Sequence, residues 1–122
     1  MKNKKSASPS RLSSFRFAID GIRTFFLEEP NARVHLLITV VVFIMAGSLR
    51  VSPTEMILLI IVMGMVWIAE IFNTAIERMM DFISPEQNSM VGLIKDLSAA
   101  AVLVAAIIAA ATGLIVFIPK IF

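Results

Sequence analysis

The feature that most constrains this chain is a set of long apolar stretches that carry almost no charge. Residues 97–119 contain no charged side chain, and alanine fills much of that stretch. About 20 apolar residues are enough for a helix to cross the hydrocarbon core of a bilayer. Inside a bilayer every backbone polar group must be paired within the segment, which a helix achieves. The sequence therefore predicts an all-α integral membrane protein with a transmembrane helix at 96–118.

Two earlier stretches predict two more transmembrane helices, at 33–50 and 54–82. The first has only His35, Thr39 and Ser48 as polar residues between its flanking arginines, and the second is uncharged over residues 56–69. Hydrophobic residues make up 58% of the chain and charged residues 16%, whereas soluble proteins average about 45–50% and about 25%. Too little polar surface remains for a soluble globule. We expect a single membrane domain over residues 1–122.

The segment at 10–28 predicts a different kind of helix, one that lies on the membrane surface. Apolar residues recur at near-helical spacing, and charged residues are interleaved with them. That pattern is typical of an amphipathic interfacial helix. Residues 29–31 interrupt it before the first span, and residues 84–88 read as a loop by composition.

The distribution of bases predicts the orientation. Lysines and arginines dominate the N-terminal segment, and the other connections carry few. By the positive-inside rule the N-terminus and the loop at 78–95 face the cytoplasm. These bases suit anionic lipid headgroups, each contributing about 1 kcal/mol near the surface. No motif for reading nucleic acid accompanies them, so we expect no nucleic-acid partner. The chain has no cysteine, which excludes a thiolate metal site.

A stripe of polar side chains at the end of the second span is the main functional signal. At about 100° per residue, Glu70, Asn73, Glu77 and Asp81 fall on one helix face roughly 80° wide. A charge at membrane depth costs a few kcal/mol or more, so such residues usually mark a functional site. Carboxylates cannot neutralise one another, and they are ligands that suit Mg²⁺ together with substrate phosphates. The stripe therefore needs protons, basic side chains or a divalent cation to balance its charge, and it predicts a functional site.

A second polar cluster lies at the same predicted depth. Lys95 and Asp96 open the third span, and Glu28 and Glu29 precede the first. Lys95 is a candidate phosphate-binding charge, although Asp81, Lys95 and Asp96 are equally consistent with ordinary anchors in headgroup water. No glycine-rich phosphate loop is present. These residues converge where a cytosolic nucleotide would meet a membrane lipid.

The same residues carry a resemblance to a known family. The stretch at 69–77 followed by Asp81, and the stretch at 95–102, resemble the signature of the bacterial integral-membrane diacylglycerol and undecaprenol kinases. Residues 21–23 and 29–35 are similar to the family's N-terminal motif, and the resemblance covers about residues 15–118. It implies a homotrimer in the bacterial cytoplasmic (inner) membrane, with active sites shared between subunits and facing the cytoplasm.

The resemblance also implies roles for individual residues. Glu70 would be the general base that deprotonates the lipid hydroxyl, and Asn73 and Asp81 would support the site. Glu29 and Glu77 would hold the Mg²⁺ that is bound to ATP. Two further sets are implied. The nucleotide contacts are Phe17, Glu29, Glu77, Glu86, Gln87, Asn88, Lys95 and Asp96. The lipid contacts are Arg23, Arg33, Glu70 and Ala99. The family's loop aromatic and histidine are absent near 86–88, and Phe17 stands where some members have tyrosine.

The expected activity is ATP- and Mg²⁺-dependent phosphorylation of diacylglycerol to phosphatidic acid. Undecaprenol is the alternative acceptor, because the pattern Asn31, Arg33 and His35 looks more like that branch. Outside this class, a carboxylate stripe can also line a proton or ion path, and the chain can be a non-enzymatic membrane subunit. Conduction predicts polar residues along most of a span, which the sequence lacks.

Overall fold

The computed structural model describes residues 10–86 and 88–122, which form four helices with short connections. They are α1 (Arg11–Glu28), α2 (Pro30–Ser48), α3 (Pro53–Ile83) and α4 (Ser89–Ile121). Helices α2, α3 and α4 are long enough to cross a membrane, with mean hydropathies of 1.6, 2.2 and 2.8. No strand occurs in the described residues. The predicted all-α fold with three transmembrane helices is confirmed. The chain divides into two compact units, the first ending at Arg33 and the second comprising Val34–Phe122.

In the first unit, local hydrogen bonds define both ends of α1. The Oγ of Ser10 accepts from the Ser13 N–H at 3.1 Å and caps the helix start. At the other end the Arg33 guanidinium donates to the carbonyl oxygens of Phe26 (3.3 Å) and Leu27 (3.0 Å). Those carbonyls lie in the last turn, where helical partners are missing, so Arg33 satisfies them.

The break between α1 and α2 is shorter than the predicted interruption at 29–31. Only Glu29 is non-helical, and its N–H donates to the Phe25 carbonyl at 3.0 Å. Pro30 begins α2 directly. Proline is favourable at the first position of a helix because its fixed φ suits the helix and its missing N–H would have no partner there. The proline that interrupts the sequence pattern is therefore the start of the next helix.

In the second unit a tight turn reverses the chain between α2 and α3. Arg50 adopts a left-handed conformation with φ of 55°, and the Val51 N–H donates to the Ala46 carbonyl at 3.1 Å. A capping box then starts α3: the Ser52 N–H donates to Glu55 Oε1 at 2.8 Å and the Glu55 N–H donates to Ser52 Oγ at 3.1 Å. Such reciprocal bonds satisfy two backbone donors at a helix start.

Helices α3 and α4 run antiparallel, which their end contacts show. Glu55 at the start of α3 pairs with Lys120 at the end of α4 at 3.0 Å. Asp81, near the end of α3, pairs with Lys95 near the start of α4 at 2.6 Å. The Asn88 side chain caps α4 by accepting from the Val91 N–H at 2.9 Å, which places the helix start ahead of the apolar stretch at 96–118.

The buried apolar cluster of the second unit lies at the α2–α3 turn. Ala46, Leu59, Val116 and Phe117 form it. Most other apolar side chains of the three long helices are exposed, including Phe82 and Ile115. Apolar exposure of this extent is expected of helices that are solvated by lipid or by other copies of the chain. The polar contacts described below lie toward the opposite end of α3 from this cluster.

Candidate active site

The predicted polar stripe lies along the second half of α3, and its burial changes along the helix. Glu70 is only 8% exposed. Asn73 and Glu77 are half-buried, and Asp81 is exposed. Of the three stripe carboxylates, Glu70 lies farthest from the end of α3 and is also the most buried. A buried carboxylate must have a partner, and each partner in the stripe comes from another helix.

The partner of Glu70 is His35 on α2. The distance from His35 Nε2 to Glu70 Oε1 is 2.7 Å, and the two side chains are 20% and 10% exposed. His35 was not among the predicted site residues, so its contact with Glu70 is one that the sequence pattern missed. The available signal was that His35 and Thr39 are polar residues one turn apart in an otherwise apolar span.

The partner of Asn73 is Ser98 on α4. The Ser98 Oγ donates to Asn73 Oδ1 at 2.7 Å, and Ser98 is 8% exposed. Ser98 belongs to the motif at 95–102, but no role was predicted for it. Hydrogen bonds between helices stabilise membrane proteins modestly, by about 0.6 kcal/mol on average. This one fixes which amide atom of Asn73 faces α4, and leaves the NH₂ group as its available donor.

Lys95 and Asp81 close the far end of the stripe. Their 2.6 Å ion pair has side-chain exposures of 34% for Lys95 and 67% for Asp81. Exposed pairs of this kind contribute about 1 kcal/mol or less, so an incoming phosphate can displace the carboxylate from the lysine at little cost. The arrangement is compatible both with an anchor in headgroup water and with a phosphate-binding lysine held ready by Asp81.

Ser84, Glu86 and Asn88, in the connection between α3 and α4, are joined by hydrogen bonds. The Ser84 Oγ donates to the Glu86 carbonyl at 2.9 Å, and the Asn88 side-chain NH₂ donates to Ser84 Oγ at 3.2 Å. Asn88 therefore has a structural role in capping α4, which the predicted nucleotide contact did not include. Glu86 is exposed. Gln87, predicted to bind nucleotide, lies outside the described residues.

The structure brings together only part of the predicted site. Glu70, Asn73, Glu77, Asp81 and Lys95 lie along the α3–α4 pair. Asp96 and Ala99 are exposed on α4. The remaining predicted residues belong to the first unit: Phe17 and Arg23 are exposed on α1, Glu29 is half-buried at its end, and Arg33 contacts the α1 carbonyls.

An apolar cavity lies between α2, α3 and α4. Its volume is about 570 Å³, and its lining includes Met63 and Val66 from α3 and Ala106 and Ala109 from α4. Among the described residues that line it, His35 alone has a polar side chain. The residue that binds Glu70 therefore also borders an apolar space of the size range of ligand pockets.

Comparison with known proteins identifies the family. The family model described as prokaryotic diacylglycerol kinase matches residues 16–117. The chain belongs to this family. A diacylglycerol kinase of Synechocystis is 32% identical over 119 residues, which cover 97% of this chain and 68% of the relative. An undecaprenol kinase of Bacillus subtilis is 32% identical over 107 residues (88% and 87%). A diacylglycerol kinase of Escherichia coli is 30% identical over 112 residues (92% of each). The resemblance carried by the sequence motifs is confirmed.

As a member of the prokaryotic diacylglycerol kinase family, the chain is a multi-pass membrane protein and a lipid kinase. Its carboxylates can be compared with the ligands that a Mg²⁺ ion would need. In the described part of the chain no group of three or more His, Asp or Glu side chains converges to hold a metal ion. Mg²⁺ does not need such a group, since one or two carboxylates suffice when substrate phosphates complete its coordination. Glu77 fits this arrangement. It is half-buried on the same face as Glu70, and it takes part in none of the hydrogen bonds or ion pairs of the described residues.

The Ser98–Asn73 contact gives a first testable prediction. Ser98→Ala removes the donor to Asn73, and we expect a loss of about 0.5–2 kcal/mol in unfolding free energy, the range for such bonds between membrane helices. Thr112→Ala is the matched control. It also removes a hydroxyl from α4, but the Thr112 hydroxyl makes no side-chain hydrogen bond among the described residues. Thermal unfolding in detergent measures both. Equal effects of the two substitutions would contradict the prediction.

Proposed function

We propose that this protein transfers the γ-phosphoryl group of ATP to the hydroxyl of diacylglycerol, giving phosphatidic acid, in a Mg²⁺-dependent reaction. Family membership supports lipid phosphorylation. The site is assigned from the burial of Glu70, whose carboxylate lies in a membrane-spanning helix and is only 8% exposed. An intramembrane carboxylate of this kind is retained for function, and a lipid alcohol is a substrate that such a residue can reach.

In this proposal Glu70 is the general base. It accepts the proton of the lipid hydroxyl as that oxygen attacks the γ-phosphorus, and a positioned base contributes about 10²–10⁴-fold to such a step. Asn73 supports the site through its NH₂ group, with its carbonyl oxygen held by Ser98. Asp81 pairs with Lys95 until phosphate replaces the carboxylate. Phosphoryl transfer depends mainly on positioning and on neutralising charge, and both are tasks for residues fixed by helix contacts.

We also propose nucleotide and metal contacts for the predicted residues. Glu77 and Glu29 would ligate Mg²⁺, which supplies charge neutralisation on the phosphate oxygens. Lys95 would bind phosphate in exchange for its exposed partner, and Asp96 would contact the nucleotide nearby. The remaining nucleotide contacts are proposed at Phe17, Glu86, Gln87 and Asn88.

The lipid is proposed to bind with its hydroxyl at Glu70 and its hydrocarbon part in apolar surroundings. The cavity of about 570 Å³ bordered by His35 supports this, because its lining is otherwise apolar. Arg23, Arg33 and Ala99 would contact the lipid as well. Arg33 would do so while its guanidinium also donates to the carbonyl oxygens at the end of α1.

Undecaprenol is the second candidate acceptor. The chain is as similar to the Bacillus undecaprenol kinase as to the Synechocystis diacylglycerol kinase, at 32% identity in both cases. Overall similarity therefore does not separate the two lipids. Both carry a hydroxyl attached to a long apolar part, so the same base and the same apolar surroundings would serve either one.

We place the protein in the cytoplasmic (inner) membrane, with its N-terminus and active site on the cytoplasmic side and α1 on the membrane surface. Exposed apolar side chains on α1, including Leu12, Phe15, Ile19 and Ile22, support contact with lipid. We further propose a homotrimer with shared active sites. The large exposed apolar area of the long helices supports contact with other copies, since it leaves much helix surface to be covered.

The decisive test offers both lipids to the purified protein. The protein is reconstituted in mixed micelles with diacylglycerol or undecaprenol and with labelled ATP and Mg²⁺, and labelled lipid product is measured. We expect product with diacylglycerol at a higher kcat/KM than with undecaprenol. The reverse order would assign undecaprenol as the acceptor. Absence of product with both lipids would overturn the proposal.

A further inference from the structure

A single histidine contacts the Glu70 carboxylate. Among the described residues, His35 is the only side chain that makes a hydrogen bond or ion pair with Glu70, at 2.7 Å between Nε2 and Oε1. That distance is typical of a charge-assisted N–H···O bond. The contact joins residues 35 positions apart on two different helices. Its geometry is therefore set by the packing of α2 on α3.

Neighbouring side chains join α2 and α3 beside this contact without bonding the His35 ring nitrogens. Thr39, one turn further along α2, donates its hydroxyl to the His35 carbonyl at 2.7 Å. Trp67, about one turn before Glu70 on α3, donates its indole N–H to Thr39 Oγ1 at 3.0 Å. The indole ring also lies tilted against the imidazole, with centroids 6.1 Å apart. Two residues on each helix thus form one connected polar group inside the span.

We propose that His35 is the positioning residue of the general base. By donating Nε2–H to Oε1, it fixes the rotamer of Glu70 and leaves Oε2 as the oxygen that meets the lipid hydroxyl. This inference rests on the proposed function. It assigns a role to His35, which was not among the predicted site residues.

The step can be written in full. The lipid O–H bond breaks and its proton passes to Glu70 Oε2, while the lipid oxygen forms a bond to the γ-phosphorus. The bond from that phosphorus to the bridging oxygen breaks, and ADP leaves. His35 stays bound to Oε1 throughout and exchanges no atom with the substrate. Its contribution is orientation, and misplacing a reacting group by about 1 Å can cost about 10²-fold in rate.

The alternative is that His35 only packs α2 against α3, and three variants separate the two roles. His35→Leu removes the donor and keeps an apolar side chain of similar size. His35→Gln keeps an N–H that can reach Glu70 Oε1. Thr39→Val is the matched control, because it removes the hydroxyl bonds to Trp67 and to the His35 backbone carbonyl at the same helix interface, while the His35 ring and Glu70 keep their contact. Should His35→Leu unfold in detergent, His35→Asn replaces it, since that side chain is too short to reach Oε1.

The measurement is kcat and lipid KM in mixed micelles at saturating Mg²⁺ and ATP, with thermal unfolding of each variant. We expect His35→Leu to lower kcat by about 10–100-fold with lipid KM within about threefold. His35→Gln should recover much of that loss, and Thr39→Val should stay within about threefold of wild type.

Three results would overturn the inference: a kcat for His35→Leu close to wild type, no recovery in His35→Gln, or an equal loss in Thr39→Val. Each of these leaves the proposed function standing, because the wild-type protein is measured in parallel and shows turnover. A wild-type protein without activity on either lipid would instead refute the proposed function, and the inference with it. The two failures are therefore distinguishable in one experiment.

Discussion

Glu70→Gln should leave the protein folded and lower lipid phosphorylation by at least about a hundredfold. The substitution is nearly isosteric, and the amide oxygen of glutamine can still accept the His35 Nε2–H. The contact between α2 and α3 is therefore kept, while the group that accepts the proton is lost. A positioned general base is worth about 10²–10⁴-fold, so the loss should appear in kcat, with lipid KM changing little. Steady-state kinetics in mixed micelles measure it.

Glu55→Gln is the matched control for this substitution. Glu55 lies on the same helix as Glu70 but in its first turn, where it caps α3 and pairs with Lys120. Glutamine preserves a capping box, so we expect activity close to wild type. A Glu70→Gln variant with activity within about threefold of wild type would exclude Glu70 as the base. Proton flux through liposomes without ATP, if abolished by Glu70→Gln, would indicate a conduction path instead.

The transmembrane architecture could be predicted from the sequence because it follows from a strong physical constraint. Apolar stretches in a bilayer must be helical and about 20 residues long, and each stretch here is flanked by polar residues. The exact helix ends follow from local chemistry that hydropathy does not report. Pro30 starts α2 in place of a longer break, and Asn88 caps α4 before the apolar stretch begins.

The polar stripe could be predicted in part. Helical periodicity placed Glu70, Asn73, Glu77 and Asp81 on one face of a helix, and the structure has all four on α3. Periodicity gives no information on which helix that face meets. The partners His35 and Ser98 come from other helices, through contacts between residues 35 and 25 positions apart. The roles of the stripe residues in catalysis stay predictions, and the variants described here test them.

Lys95 shows where a sequence pattern stays ambiguous. Its position at the start of the third span suits both an interfacial anchor and a phosphate ligand. The structure adds an exposed ion pair with Asp81 at 2.6 Å. Because an exposed pair is weak, this contact does not compete strongly with phosphate. Electrostatic partners of exposed side chains depend on what is bound, which no pattern in one sequence encodes.

Glu77→Gln should raise the Mg²⁺ concentration needed for half-maximal activity by about tenfold or more. A tenfold change corresponds to about 1.4 kcal/mol of binding free energy. Replacing a carboxylate by an amide removes both a negative charge and a preferred oxygen ligand of Mg²⁺. Glu77 has no other partner among the described side chains, so its loss should disturb metal binding more than packing. Activity should recover partly as Mg²⁺ is raised.

Glu77→Asp is the matched variant, because it retains the carboxylate on a side chain shorter by one methylene. We expect a Mg²⁺ requirement between those of wild type and Glu77→Gln, and unchanged thermal unfolding for both. Glu70→Gln distinguishes the two carboxylates: loss of the base lowers the maximal rate at every Mg²⁺ concentration, whereas loss of a metal ligand shifts the Mg²⁺ titration. A Glu77→Gln variant with a wild-type Mg²⁺ titration would mean that other groups hold the metal and that Glu77 is a solvated residue of the interface.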